Sequence, residues 1–297
     1  MPTKIEWCDE TWNFLTGCSP LSEGCQHCYA KRMAKRLAGR YGYPKDDPFR
    51  VTFHPDRMEE PWKWAKPRIV FPCSMSDLFH HDVDGIDLAQ VRRDAWHIME
   101  SCPRDTFLVL TKRDTIMRSF CMTREPMKHI WLGVTVENQK HDDRIITLLN
   151  TPAGKRFVSI EPMLGPVDLT RIKIEWLAIP QGAVRPIGRV IEVNALTGNT
   201  IDHMGIERTG GPKLDLVICG GETGPGAREC NLAWPRLLRD QCVKAGVPFF
   251  FKKWGDWNAR HYGRHFAKQL IGSCIDGQQW RQWPVSGVES AAPRRSA

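Results

Sequence analysis

Three cysteines, Cys18, Cys25 and Cys28, stand within eleven residues in the string TGCSPLSEGCQHCYA. Three thiolates are one ligand short of the closed four-ligand set of a structural zinc site, whereas an iron–sulfur cluster held by three cysteines keeps one iron open to a substrate or cofactor. The residues alone leave three readings: a cluster with an open iron, a zinc knuckle completed by Cys8 or His27, or three unrelated thiols in a reduced protein. The other cysteines, Cys8, Cys73, Cys102, Cys121, Cys219, Cys230, Cys242 and Cys274, have no comparable spacing and read mostly as small buried hydrophobes.

A loop around a metal centre needs tight turns, and Gly17, Ser19-Pro20 and Ser22-Glu23-Gly24 provide them. From Tyr29 to Tyr41 the apolar Met33, Ala34, Leu37, Ala38 and Tyr41 recur at helical spacing, opposite Lys31, Arg32, Lys35, Arg36 and Arg40. Strand, cysteine loop and basic helix is the implied order.

Apolar runs of strand length continue down the chain over 11–16, 68–73, 106–110, 129–136, 156–160 and 214–219, with helical patterns over 86–101, 114–121 and 140–150. This alternation predicts an α/β fold with parallel strands and helical crossovers, a barrel or partial barrel. Ligands in such folds collect at the carboxyl ends of the strands. Those ends carry Ser74-Met75-Ser76-Asp77, Thr111-Lys112-Arg113, Glu137-Asn138, Glu161-Pro162 and Gly220-Gly221-Glu222-Thr223-Gly224. Helix caps also favour Ser, Thr and Asp at such turns, but five loaded ends in register point to a site.

A helix over 234–245 leads to a seventh run, Val247 to Gly255, ending in Lys252, Lys253 and Trp254. Basic residues beside aromatics hold phosphates and stack bases; core packing with solvated lysines is the plainer reading. Two alternating runs around Leu196 to Asn199 read as a β-hairpin inserted over 181–213, placed either to shape substrate access or as a solvent-exposed excursion. One domain over 7–257 is expected, followed by a C-terminal extension over 258–297 whose last dozen or so residues, rich in Ser, Ala, Pro and Arg, read as disordered.

The chain has 297 residues, enough for a continuous core, and a net charge of +8 that suits a polyanionic partner such as nucleic acid. The N-terminus lacks the apolar region of a signal peptide and no stretch reaches the length of a membrane span. With eleven cysteines, a cytoplasmic protein with reduced thiols is the expectation.

The strings Trp12-Asn13, Thr16-Gly17-Cys18, Gly24-Cys25-Gln26-His27-Cys28-Tyr29-Ala30, Ser74 to Phe79, Leu110 to Arg113, Trp131 to Glu137, Ser159 to Pro162, Gly220 to Glu222 and Phe250 to Gly255 resemble the phage-associated three-cysteine family of radical S-adenosylmethionine (SAM) proteins. The resemblance spans Trp7 to about Trp257. It implies a partial (β/α)6 barrel with a [4Fe-4S] cluster on Cys18, Cys25 and Cys28 that cleaves SAM to a 5′-deoxyadenosyl radical. Six residues separate Cys18 from Cys25 here, where the usual radical SAM spacing is C-x3-C-x2-C. Ser74 to Asp77 follows the second strand, the place of the family's SAM-amino motif, so Ser76 and Asp77 are assigned to SAM. Gly220, Gly221 and Glu222 are assigned to SAM or substrate, and Glu137 and Glu161 to the polar part of the SAM site. Lys112, Lys252, Lys253 and Trp254 are the candidates for a substrate carboxylate, a DNA phosphate or a base. Relatives are linked to hypermodified thymidine in phage DNA, which implies an aminomutase that isomerises an amino-acid-modified thymidine from Nα-linked to Cα-linked. Phage DNA as partner, the host cytoplasm as location, and flavodoxin or ferredoxin as electron donor follow from the same resemblance. The alternatives are a DNA-lesion lyase resembling spore photoproduct lyase and a zinc-stabilised nucleic-acid-binding module.

Overall fold

Seven strands, β1 (Glu10–Trp12), β2 (Ile69–Pro72), β3 (Thr106–Thr111), β4 (Ile130–Thr135), β5 (Lys155–Ile160), β6 (Leu216–Cys219) and β7 (Phe249–Phe251), lie side by side in chain order and all run parallel. The computed structural model describes residues 5–81, 83–178, 187–262 and 273–284. The sheet curls into a half-barrel. Each of the seven apolar runs read from the sequence supplies one of these strands.

Side-chain alternation divides the sheet into two faces. Phe107 and Val109, Leu132 and Val134, Val158 and Ile160, Val217 and Cys219, and Phe249 and Phe251 point outward into the main core. Helices α1 (Tyr29–Leu37), α2 (Leu88–Glu100), α3 (Asp114–Cys121), α4 (Asp143–Leu149), α5 (Ala233–Ala245) and α6 (Asp256–His261) follow the strands. Their ends follow local chemistry: Asp87 accepts the Gln90 amide at 2.9 Å to start α2, and Gly246, at φ +67, ends α5.

The inner face carries Ile69, Phe71, Leu108, Trp131, Phe157, Leu216, Ile218 and Phe250. These side chains fill the lower half of the half-barrel as a floor. Trp7 packs on Phe71 from the N-terminal side, with ring centroids 4.7 Å apart, and Trp283 stacks on Trp131 at 5.5 Å from the C-terminal side. Trp283 gets there because the chain returns along β7, where the Phe251 amide donates to Trp280 and the Gln282 amide to Phe249. The extension from 258 onward is therefore tied to the sheet in its described part; the tail over 286–297 lies outside the described residues.

Among its described residues, the crossover from β5 to β6 has no α-helix. A four-stranded antiparallel sheet of Ile172–Ala178, Ile187–Asn194, Asn199–Asp202 and Glu207–Arg208 takes its place. The expected hairpin is part of it, with Val193 opposite Thr200 and Glu192 opposite Ile201. The inserted unit nevertheless starts earlier than 181, at Ile172, and residues 181–186 of the expected span lie outside the described residues. Its base is welded to the core through buried Leu169, Ile172, Val193, Ala195, Leu196 and Leu214.

Gly133 sits in β4 directly opposite Phe157 of β5, and a Cβ built there would lie 2.4 Å from the Phe157 ring. Phe157 is fully buried. Gly133→Ala is expected to lower the unfolding free energy by roughly 1–3 kcal/mol, measured as a lower denaturant midpoint; an unchanged midpoint would show that the floor can repack around Phe157.

Candidate active site

Above the aromatic floor the inner face turns polar. Thr11, Thr135, Ser159 and Lys252 stand at or just past the carboxyl ends of their strands, and they line a cavity of about 530 Å³ together with Phe71 and Leu110. Cys18, Cys25 and Cys28 line the same cavity. All eleven cysteines are free thiols; seven are buried, and the partly exposed ones are these three and Cys274, whose backbone carbonyl accepts from Trp254 away from the cavity. Of the insertion, no described residue lines the cavity, so its described part does not shape access.

The surroundings of the thiols differ. Burial pushes the Cys18 thiol up to about 11, against the pull of Arg113, whose guanidinium lies 3.5 Å from Sγ. Burial also works against the Cys25 thiolate, but the Lys112 charge and hydrogen bonds with the Leu21 backbone and with Ser22 outweigh it and hold the thiol below its ordinary value. Cys28 is the N-cap residue of α1. Among the described residues no group of three His, Cys, Asp or Glu side chains is gathered to hold one metal ion. The candidate fourth zinc ligands are also engaged elsewhere: Cys8 is buried in the floor, and the ring Nδ1 of His27 lies 3.0 Å from Glu222. Three thiols lining one cavity, with Arg113 beside Cys18 and the Lys112 charge acting on Cys25, match a three-thiolate cluster in donor type and charge balance.

The cysteine loop is fastened from four strand ends. After β2, His80 Nε2 accepts from the Ser19 amide while its Nδ1 donates to the His81 carbonyl, and burial lowers its pKa toward this neutral form. After β3, Arg113 donates to the Ser19 carbonyl and hydroxyl and to Asp77, each within 3.1 Å. After β4, the fully buried Glu137 accepts from Ser22 at 2.5 Å, from Arg144 at 3.0 Å and from Lys112. Burial opposes that charge, but Lys112, Ser22 and Arg144 keep the carboxyl below its usual range. A Cβ at Gly24 would come within 2.5 Å of the Glu137 carboxylate, so only glycine lets the loop sit this close. Glu23 meets Asn138 at 2.7 Å and His141 at 2.8 Å. After β6, Glu222 accepts from Arg228 and pairs with His27.

Several expected site residues therefore have different tasks. Glu137 does not line the cavity; it stands behind the wall and holds loop and lysine together. Asp77 lines the cavity, but both its oxygens are occupied by Thr111, Phe79, Lys112 and Arg113. Ser76 lines the cavity and donates to the Gly17 carbonyl at 2.5 Å. Trp254, expected at a base, is buried in the core. Gly221, Glu222, Lys112, Lys252 and Lys253 line the cavity, and Gly220 does not. Glu161 also lines it and accepts from Lys252 at 2.7 Å. The clamping roles of Arg113, Arg144, Arg228, His27, His80 and Ser22 were not read from the sequence, where Ser22 stood as a turn former, His27 as a candidate zinc ligand and Arg113 as part of the loaded end Thr111-Lys112-Arg113.

Burial would raise the Glu222 carboxyl, but Arg228 and His27 hold it at about 2 against an ordinary value of 4.5. Its folded pKa is depressed, so its contribution is complete above pH 4.5 and is lost as pH falls toward 2. The difference in unfolding free energy between wild type and Glu222→Gln should be about 3 kcal/mol near neutrality and should close across that window; a gap that does not change with pH would mean that the carboxylate charge is not what holds the loop.

The family model described as "Protein of unknown function (DUF5131)" matches residues 2–284. Neither a curated protein nor a solved structure matches the chain. With the match running from before the floor tryptophan Trp7 to just past Trp283, the chain belongs to the DUF5131 family.

Proposed function

We propose that this protein is a radical SAM enzyme that modifies a nucleic-acid base, built on a partial barrel of the radical SAM type. The observation that carries the reading is the presence of three partly exposed thiols lining one cavity at the carboxyl ends of the half-barrel strands, while seven of the other cysteines are buried. Bound to Cys18, Cys25 and Cys28, a [4Fe-4S] cluster with an open iron would take SAM and supply the 5′-deoxyadenosyl radical.

The chain's own part is to hold, orient and keep dry. Glu161 offers an acceptor to an ammonium through the carboxylate that already pairs with Lys252. Lys253 lines the cavity with no ion pair among the described residues, and suits a carboxylate. Phe71 and Leu110 give an apolar wall for a flat ring, over a floor sealed by Trp7 and Trp131. This pairing of a zwitterion subsite with an apolar wall suits both SAM and a base that carries an amino acid.

In concrete terms, the reaction is the isomerisation of an amino-acid-modified thymidine in phage DNA from Nα-linked to Cα-linked. The exchange breaks one C–N and one C–H bond and forms one C–C and one N–H bond, so it balances without an external hydrogen donor. Closure against water matters because a carbon radical abstracts any hydrogen held near it. Flavodoxin or ferredoxin is the proposed source of the starting electron.

Anaerobic reconstitution should give a brown protein that forms 5′-deoxyadenosine from SAM under reduction, and Cys25→Ala should abolish this with folding intact. A colourless, zinc-loaded protein without cleavage would overturn the reading in favour of a binding module. Glu161→Gln should raise the KM for SAM or the modified base about 10- to 100-fold, the range for loss of a charged hydrogen bond, and an unchanged KM for both would remove Glu161 from the site. Mass spectrometry of digested DNA separates the Cα-linked isomer from the repaired thymines that a lesion lyase would release.

A further inference from the structure

Around the cavity, arginines pair with carboxylates: Arg113 with Asp77, Arg144 with Glu137, Arg228 with Glu222. Helix α1 breaks this habit. Lys31, Lys35 and Arg36 on the helix and Arg40 just after it are exposed, the segment from Tyr29 to Arg40 contains no acid, and none of the four has a carboxylate partner among the described residues. The hydrogen bond given by Arg40 goes to the Arg36 carbonyl, which leaves both charges uncompensated.

A second feature lies beside Arg36 and Arg40; Lys31 and Lys35 stand on the far flank of the helix, about 160° round from Tyr29 and Met33. Ala30 and Ala34 seat α1 on the core, and with 3.6 residues per turn the strip next to Arg32 and Arg36 is formed by Tyr29 and Met33. Tyr29 is 45% exposed and Met33 42%, yet both line the cavity, as does the 50% exposed Leu21. Three large apolar side chains thus stand half in water on the cavity lip. The Tyr29 ring is not loose, because its hydroxyl donates to the Ser74 carbonyl. Fixed, exposed apolar faces beside a cation track are what a strand with accessible bases requires: phosphates take the charges and bases take the faces. An acidic peptide would satisfy the cations and leave the lip bare. A duplex would bury the base faces in its own stack, and a base must leave that stack to enter a closed site.

We propose that α1 is the docking track for a single-stranded segment of nucleic acid, with phosphates on Arg36 and Arg40 and bases on Tyr29 and Met33, from where one base enters the cavity. This rests on the reading of the cavity as a base-modifying site. At 1.5 Å per residue α1 is about 13 Å long, so the track engages a short run of a strand and delivers it at the N-terminus of the helix, where Cys28 stands.

The test is fluorescence anisotropy of a labelled thymidine oligonucleotide with the full chain, without SAM or reductant, between about 50 and 200 mM salt. Wild type should bind the single strand more tightly than a duplex of equal length. Each phosphate contact on a single strand contributes about 0.7 to the slope of log affinity against log salt, so Arg36→Ala with Arg40→Ala should reduce that slope by about 1.4. Tyr29→Ala should weaken binding about tenfold at fixed salt with the slope unchanged, as lost base stacking does. Circular dichroism of each variant checks that α1 is still folded. An unchanged slope in the double variant, tighter binding to the duplex, or capture by phosphatidylserine vesicles in place of the oligonucleotide would overturn the proposal. Because the readout needs neither cluster nor SAM, a failure here leaves the radical reading standing, and a failure of SAM cleavage leaves the track standing.

Discussion

A single buried carboxylate, Glu137, carries the arrangement of the site. It has no exposed surface, and an unpaired charge in such a place would cost several kcal/mol, so its partners are held where it needs them. Those partners are Ser22 from the cysteine loop, Lys112 from the end of β3 and Arg144 from α4. Through them one charge fixes the position of the loop three residues before Cys25, the lysine that favours the Cys25 thiolate, and the helix that covers β4 and β5. Gly24 completes the contact by bringing the loop backbone against the carboxylate. Removing any one partner leaves a desolvated charge less fully compensated, so each of the three contacts constrains the other two.

The half-barrel divides this work along its axis. Its lower half is filled by Leu108, Trp131, Phe157 and Phe250 and closed by Trp7 and Trp283, so dispersion and apolar burial hold the strands in register. The upper half is left to Thr11, Thr135, Ser159 and Lys252, side chains too short or too polar to fill the space. A cavity with a dry base and polar walls results from one alternating pattern carried by seven strands. Charges at the rim are paired across strand ends, as with Glu161 of β5 and Lys252 of β7, and so they also fasten non-adjacent strands to each other.

Much of this was legible in the sequence, for physical reasons. Period-two and period-3.6 patterns are local, and the helix expected over 114–121 coincides with α3 residue for residue. The strand ends were legible because polar residues follow apolar runs at each one. The antiparallel crossover was read only in part: Ile172–Ala178 alternates like any strand, and nothing local says that its partner is the hairpin and not the barrel. The clamps were not legible, since His27 and Glu222 are 195 residues apart and Ser22 and Glu137 are 115 apart. Glu137 and Trp254 were assigned to the cavity because polar and aromatic residues near strand ends favour ligands, but direction along the chain does not say on which side of the wall a side chain falls.

The meeting of Trp7 and Trp283 on one floor bears on how the molecule is made. The cysteine loop, α1 and the first strands emerge early in synthesis, yet the surface beneath them stays open until β7 and the returning segment supply Phe250 and Trp283. Until that moment Trp131 has no stacking partner from the end of the chain and the inner wall is wet. The floor and the cavity are therefore complete only with β7 and the returning segment in place, and a chain cut before β7 would carry a loop with three thiols but no closed chamber around them.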